Sequence, residues 1–218
     1  NIQSELDASL NKVDGTEIPQ VYKYHRDTRF KNDFGSTDIN VDFQHTGSRK
    51  NEFLTLSYRF SHLPNDNDNH TELSDVEDYY LANEFPQWNI NNAATSEHTA
   101  QIDYTTPTWK NQTVEGGVKY INRQSKSETL EQIYRADSES WEDVSAGNSR
   151  FKHTQQIYAA YMGYQMKFNK LGIKMGLRGE GTSLVAKFAK APNMNFSVDY
   201  FDIVPNAALA YQIDNTSQ

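Results

Sequence analysis

Long runs in which apolar and polar residues alternate one for one set the strictest limit on what this chain can fold into. In residues 170–188, KLGIKMGLRGEGTSLVAKF, Ile173, Met175 and Leu177 alternate with Lys174, Gly176 and Arg178. The run continues through Gly179, Glu180 and Gly181 with no clear turn signal. Period two is the mark of a β-strand with one apolar face. The opposite face here carries charge and glycine, which no ordinary protein core accepts.

The same alternation recurs in pairs. Ile39, Val41 and Phe43 are followed, after GSRKN, by Leu54, Leu56, Tyr58 and Phe60, which reads as a hairpin with a short polar turn. Ala100, Ile102 and Tyr104 pair with Val114, Gly116, Val118 and Tyr120 across PTWKNQ. Residues 150–168 pair with 171–188 through a turn near Asn169, and a last strand is expected over about 206–213, after Pro205. Longer connections are expected at about 64–97, 126–149 and 189–204. Short turns and long loops therefore alternate along the chain, which in an antiparallel meander puts them at opposite ends. Charge divides likewise: no Lys or Arg lies between Arg59 and Lys110, whereas the short turns carry Arg49, Lys50, Lys110, Lys167 and Lys170. Residues 1–20 stay unassigned, with a helix-compatible stretch around Leu6 and Leu10; residues 21–218 form the repetitive part.

Strand length narrows the fold further. The run from Arg150 to Phe168 extends for ~60 Å at ~3.3 Å per residue, whereas globular strands usually have about 5–6 residues. Long alternating strands with short turns on one side and long loops on the other describe an outer-membrane β-barrel. The fold class expected is all-β: an antiparallel up-and-down meander of long strands, part of a large outer-membrane barrel, and an open sheet if isolated.

Composition agrees and excludes other classes. Mean hydropathy is -0.82, yet 13 Tyr and 11 Phe make a disordered chain untenable. A net charge of -8 argues against a nucleic-acid partner, because neutralising phosphates needs clustered Lys and Arg. Without cysteine there is no disulfide, thiolate metal site or thiol nucleophile. No apolar run approaches the ~20 residues of a transmembrane helix.

Specific segments carry a resemblance. HTAQIDYTTP followed by VEGGVKYINRQSKSE, the hairpin QQIYAAYMGYQMKFNKLGIKMGLRGEGTSL, and YFDIVPNAALAYQID resemble the outer-membrane β-barrel family of Bacteroidetes, relatives of TonB-dependent receptors. The likeness is strongest over 95–218, weaker over 21–63 and absent over 1–20. Gly179 departs from the family pattern, which more often has a larger apolar residue there. The resemblance implies a large barrel in the outer membrane around a plug domain, serving as receptor or transporter for a nutrient. It implies as partners the bilayer, the remainder of the barrel and an energy-coupling periplasmic protein. The chain reads as an internal piece of that barrel, whose open edges invite edge-to-edge self-association.

On that reading Ile173, Met175 and Leu177 face lipid, while Lys174, Arg178 and Glu180 face a wet lumen or plug. Arg178 and Glu180 lie two apart on one face, placed to form an ion pair. Gly176, Gly179 and Gly181 would let the sheet bend or another backbone approach.

Candidate chemistry is sparse. DNDNHTELSDVE, residues 66–77, spaces Asp66, Asp68, His70 and Glu77 like a calcium loop, but Thr71 stands where the required Gly belongs, so a solvated acidic loop is the better reading. The histidines are scattered; His45 and His62 could face each other across the first hairpin, but no metal site is expected. No catalytic motif appears, and neither a catalytic residue nor a cofactor is expected. The candidate ligand-binding residues are aromatics of the long loops: Tyr79, Tyr80 and Trp88 in the first, Tyr134 and Trp141 in the second. Such rings suit sugar or peptide ligands, though packing among themselves at the rim is the simpler reading. The rival to the barrel is a secreted or surface β-sandwich that binds carbohydrate, with strands of about 5–8 residues and a dry interior between two sheets.

Overall fold

The computed structural model describes residues 2–11, 20–79, 85–144 and 148–213. They form one antiparallel sheet from β1 (Ile2–Asn11), β2 (Gln20–Phe34), β3 (Thr37–Thr46), β4 (Phe53–Glu77), β5 (Gln87–Pro107), β6 (Gln112–Arg135), β7 (Ser140–Asp143), β8 (Ser149–Phe168), β9 (Leu171–Phe188) and β10 (Phe196–Tyr211). Its order is β1-β2-β4-β5-β6-β8-β9-β10, with β3 also on β4 and β7 also on β6. The sheet is an up-and-down meander in which β3 shares the line of β2 and β7 that of β8. No second sheet packs on this one among the described residues, so the sandwich is not what forms.

β2 and β3 are two halves of one wall strand. Phe34 pairs with Asn65 and Thr37 with His62, a single unbroken register along β4. The interruption falls opposite Pro64, whose carbonyl accepts from the Gly35 N–H at 3.4 Å but which has no N–H to return. β7 likewise continues the line of β8 beside β6.

The connections at the long-loop end are much shorter than expected. β4 runs to Glu77 and β5 starts at Gln87, β6 runs to Arg135, and β10 starts at Phe196. Prolines and runs of Asn and Asp read as loop in the sequence, yet here they are strand, because β5 pairs the backbone of β4 as far as Thr71 and β2 pairs it as far as Glu77. Pro205 lies inside β10 instead of before it. The Gln212 N–H donates to Lys170 O, so in this register the odd-numbered positions of β10 aim their nitrogens away from β9, and Pro205 loses no bond to that strand. The stretch around Leu6 and Leu10 is strand paired to β2, not helix.

The short turns span 47–52, 108–111 and 169–170, and each holds an Asn in the left-handed region: Asn51 at φ 67, Asn111 at φ 62 and Asn169 at φ 50. Asn tolerates that conformation better than other side chains, which fixes where each strand reverses.

Register separates the two faces. One carries the rows Leu56–Ile102–Val118–Ala160–Gly179 and Leu54–Tyr104–Gly116–Met162–Leu177. Its apolar side chains lie open: Met162 is 64% exposed and Leu177 47%. Above this band stand Tyr58, Phe60, Tyr120 and Tyr158; below the row of Met162 stand Tyr164 and Phe168. From Tyr158 to Phe168 is about ten residues, which at ~3.3 Å each and a ~40° tilt gives about 25 Å, the height of a lipid-facing band between aromatic girdles. The girdle hydroxyls find polar partners at its margins. Tyr58 Oη and His98 Nδ1 hydrogen-bond at 2.8 Å, and Tyr164 donates to Gln112 Oε1 at 2.7 Å. An apolar face of this extent outside any core is accounted for by lipid.

β4, with 25 residues, is about 80 Å long. It outreaches the band by far, so the sheet extends well beyond the bilayer at the loop end, where both faces become polar.

Two outcomes follow. Met162→Arg, in the middle of the band, is expected to cost about 2–4 kcal/mol in urea unfolding of the full-length barrel in lipid vesicles, while Ser57→Arg on the other face costs far less. Equal losses would reverse the assignment of faces. At the turn end, Tyr104 donates to Glu52 Oε1 at 2.6 Å and the Arg49 N–H to Oε2 at 3.1 Å. The Tyr104 hydroxyl first, then the Arg49 amide, holds the Glu52 carboxyl below its usual range. That contribution is present above the ordinary carboxylate range and is lost as pH falls through the lowered value. In a carboxyl NMR titration Tyr104→Phe should move Glu52 back toward an ordinary glutamate; no movement would show that the hydroxyl does not hold it.

Candidate functional site at the inner face and the rim

The face opposite the lipid band carries the charge. One row across it reads Thr55–Asp103–Gly117–Tyr161–Arg178 and the next Ser57–Gln101–Lys119–Ala159–Glu180. These side chains form a connected network. Tyr161 donates to Asp103 Oδ1; Gln101 donates to Asp103 at 2.8 Å and to Tyr161 Oη at 3.0 Å. Arg178 makes a forked contact with Glu180 Oε2 at 3.0 and 2.7 Å, the ion pair expected from the sequence. Its guanidinium carbon sits 5.9 Å from the Tyr161 ring centre.

The network extends both ways. Lys174 pairs with Glu115 at 2.9 Å. Arg123 joins Glu97 at 2.7 Å to Gln155 at 3.2 Å, and Arg59 meets Asp38 at 2.9 Å. Two glycines make room for these long side chains to lie flat. A Cβ on Gly117 would fall 2.6 Å from Tyr161 Oη and from Ile102 O, and one on Gly163 would fall 2.7 Å from Glu115 Oε1. Gly176 and Gly179 likewise receive neighbouring side chains, Asn206 and Phe201, where the sequence suggested a bend or an approaching backbone.

Above the network the inner face turns to uncharged amides and hydroxyls. Asn32, Asn67, Asn91 and Thr129 share one row. Ser127 and Thr129 both donate to Asn91 Oδ1, at 2.8 and 3.3 Å. That row offers donors and acceptors of both kinds without a fixed charge.

The aromatics singled out from the sequence divide. Trp88, Tyr134 and Trp141 come together: the Trp141 ring lies 5.8 Å from Trp88 and 5.7 Å from Tyr134, both edge-on, and 5.8 Å from His70. Trp88 also donates from Nε1 to Asp68 at 2.5 Å. Tyr79 lies apart, 4.6 Å from Tyr24 and 5.4 Å from Tyr22. Tyr80 falls outside the described residues. By register, His70, Trp88 and Tyr134 share the outer face, so this cluster stands on the outside of the wall above the girdle.

Residues 66–77 are strand, not the loop a calcium site of that spacing needs; Asp66, Asp68 and His70 point one way and Asn67 and Asn69 the other. His45 pairs with Leu54 and His62 with Thr37, so those two histidines are not opposite. Beyond Lys174 and the Arg178–Glu180 pair, the inner network was missed by sequence reasoning. Its signal was there, since counting outward from the short turns brings Asp103, Tyr161 and Arg178 level.

No curated protein matches the chain in sequence. Among solved structures it is similar to the copper transporter OprC, with TM-score 0.62 and 10% identity over 99% of this chain and 34% of that one. It also matches the unliganded ferric citrate transporter FecA, with TM-score 0.46 and 11% identity over 98% of this chain and 37% of that one. A third is the ferric yersiniabactin uptake receptor FyuA from Yersinia pestis, with TM-score 0.42 and 9% identity over 98% and 39%. The chain thus spans little more than a third of the length of these proteins. The likeness to OprC shows a shared fold. The model of the outer membrane protein beta-barrel family matches residues 45–218, and with its lipid-facing band, polar inner wall and long projecting strands the chain belongs to that family.

Proposed function

We propose that the chain is a wall segment of a receptor or transporter of the TonB-dependent type that takes up a nutrient across the outer membrane. The observation that carries this reading is the inner face: a hydrogen-bonded ionic network at membrane level, opposite the lipid-facing band. A wet lumen, or a polar plug seated in it, suits that face. The likeness to OprC, a copper transporter, supports the class of function without identifying this ligand.

In this reading the remainder of the barrel closes the sheet between β10 and β1, a plug domain lies against the ionic network, and a periplasmic protein delivers energy. Without those strands, two edges stay open to pairing with another copy. The chain carries walls and rim, and we assign it no catalytic role. An incoming ligand would meet the amide row above the network on its way down the inner face, while the Trp88, Tyr134 and Trp141 cluster stands on the opposite side of the wall.

The test uses the full-length protein in its native cells. It should fractionate with outer membranes and migrate anomalously until heated. Uptake of its nutrient, sought among copper, ferric chelates and oligosaccharides, should stop when an uncoupler collapses the energy supply. Recovery from the soluble fraction would sink the barrel reading, and uptake indifferent to the uncoupler would remove energy coupling from it.

A further inference from the structure

Above the ionic network the wall sorts charge by face. In β4 the run Asn65-Asp66-Asn67-Asp68-Asn69 alternates two side chains of nearly the same shape, one an amide and the other an acid. Register turns each Asn to the inner face and each Asp to the outer one. Strands disfavour both residues, so propensity does not choose between them. The row of Asn32, Asn67, Asn91 and Thr129 and the two rows below it hold no Asp, Glu, Lys or Arg from β2 to β9. The second reads Phe34–Asn65–Ala93–Ser127–Phe151–Phe188 and the third Leu63–Thr95–Ser125–His153–Ala186. Between the first two lies an outward row, Asp33–Asp66–Asn92–Glu128–Arg150, in which every residue but Asn92 is charged. Both faces stand above the lipid band, so water would accept charge on either. Solvation alone therefore does not account for a neutral inner face.

The second row also has relief. Phe34 stands at one end with 79% of its surface exposed, and Phe151 and Phe188, ring centres 4.9 Å apart, stand at the other. Between them Asn65, Ala93 and Ser127 lie lower. Each strand-to-strand step is ~4.8 Å, so Phe34 and Phe151 are ~19 Å apart along the wall. A carboxamide offers two donors and an acceptor oxygen. Asn91 Oδ1 is taken by the Ser127 and Thr129 hydroxyls, which leaves its NH2 group free to donate. A neutral trough of amides between aromatic rings matches a ligand whose units each have a hydroxyl edge and a flat C–H face. An extended peptide is recognised best at an open sheet edge, and β4, β5 and β6 are paired on both sides at this level. An ionic ligand finds no counter-charge on these rows.

We propose that the inner wall above the ionic network recognises an uncharged oligosaccharide, its hydroxyls on Asn65, Asn67 and Asn91 and its ring faces against Phe34 and the Phe151–Phe188 pair. The inference rests on the transport reading and deepens it by naming the class of nutrient. The alternation of Asn and Asp along β4 carries it, since the two differ in little but charge and only the neutral one faces inward.

The experiment is titration calorimetry on purified full-length protein in phosphatidylcholine vesicles. The probes are a mixture of neutral hexasaccharides from glucan, mannan, xylan and galactan, an oligogalacturonate of the same length, and a mixture of uncharged hexapeptides. The neutral sugars should bind, and the oligogalacturonate should bind about ten-fold more weakly or not at all. Asn67→Asp, which keeps the shape and adds the charge, and Phe34→Ala should each weaken sugar binding about ten-fold, as when a hydrogen bond or ring contact at a binding site is lost. Asp66→Asn on the outer face should change nothing, and heat-modifiable migration should be the same in all four proteins. No binding of the neutral sugars, equal binding of the oligogalacturonate, binding of the peptides in place of the sugars, or indifference to Asn67→Asp and Phe34→Ala overturns the proposal. The two readings fail separately. Uncoupler-sensitive uptake of a charged nutrient without sugar binding removes the class and keeps transport; sugar binding without uptake does the reverse.

Discussion

Backbone hydrogen bonding is the constraint on which everything else in this structure rests. In hydrocarbon no water is available for an unpaired N–H or C=O, so each strand must be paired along its whole passage through the bilayer. Strand-to-strand ladders provide that pairing here, from β1 at one side of the sheet to β10 at the other. The short turns with their left-handed Asn follow from it, since tight reversal keeps adjacent strands in register up to the membrane margin. The two-sided character of the wall follows as well. Once the backbone is satisfied, side chains are free to match whatever solvent each face meets.

That freedom explains why the inner network should not be read as a source of stability. Its ion pairs are partly exposed; the Arg178 and Glu180 side chains keep 33% and 30% of their surface. Pairs of that kind contribute at most about 1 kcal/mol each. The apolar band and the ladders hold the wall, while the ionic rows make its inside wettable. The same division separates the outer face into a band for acyl chains and, higher up, rows of charge.

Much of this was legible in the sequence wherever one face met lipid. Ile173, Met175 and Leu177 against Lys174 and Arg178 revealed strand, face and environment together, and the hairpins around GSRKN, PTWKNQ and Asn169 fell where the turns are. Legibility failed where the sheet leaves the bilayer. In PNDNDNH both faces are wet, so alternation disappears and the segment reads as loop although it is the upper half of β4. Tertiary pairing on both flanks overrides a composition that alone disfavours strand. The ring contacts of Trp141 with Trp88 and Tyr134 were hidden for a related reason, since only the register of β5, β6 and β7 brings them level.

The missing donor at Pro64 has a mechanical meaning. It removes a rung of the ladder between β4 and the β2–β3 strand, a few residues above the aromatic girdle and below the projecting part of the sheet. Gly35, with no neighbouring atom near its Cβ position, faces it across the gap. A wall that is stiff through the membrane and continuous above it thus contains one level at which β4 and the β2–β3 strand share a single long hydrogen bond, 3.4 Å, instead of a pair. Bending in the projecting sheet is absorbed there first, before strain reaches the span in lipid.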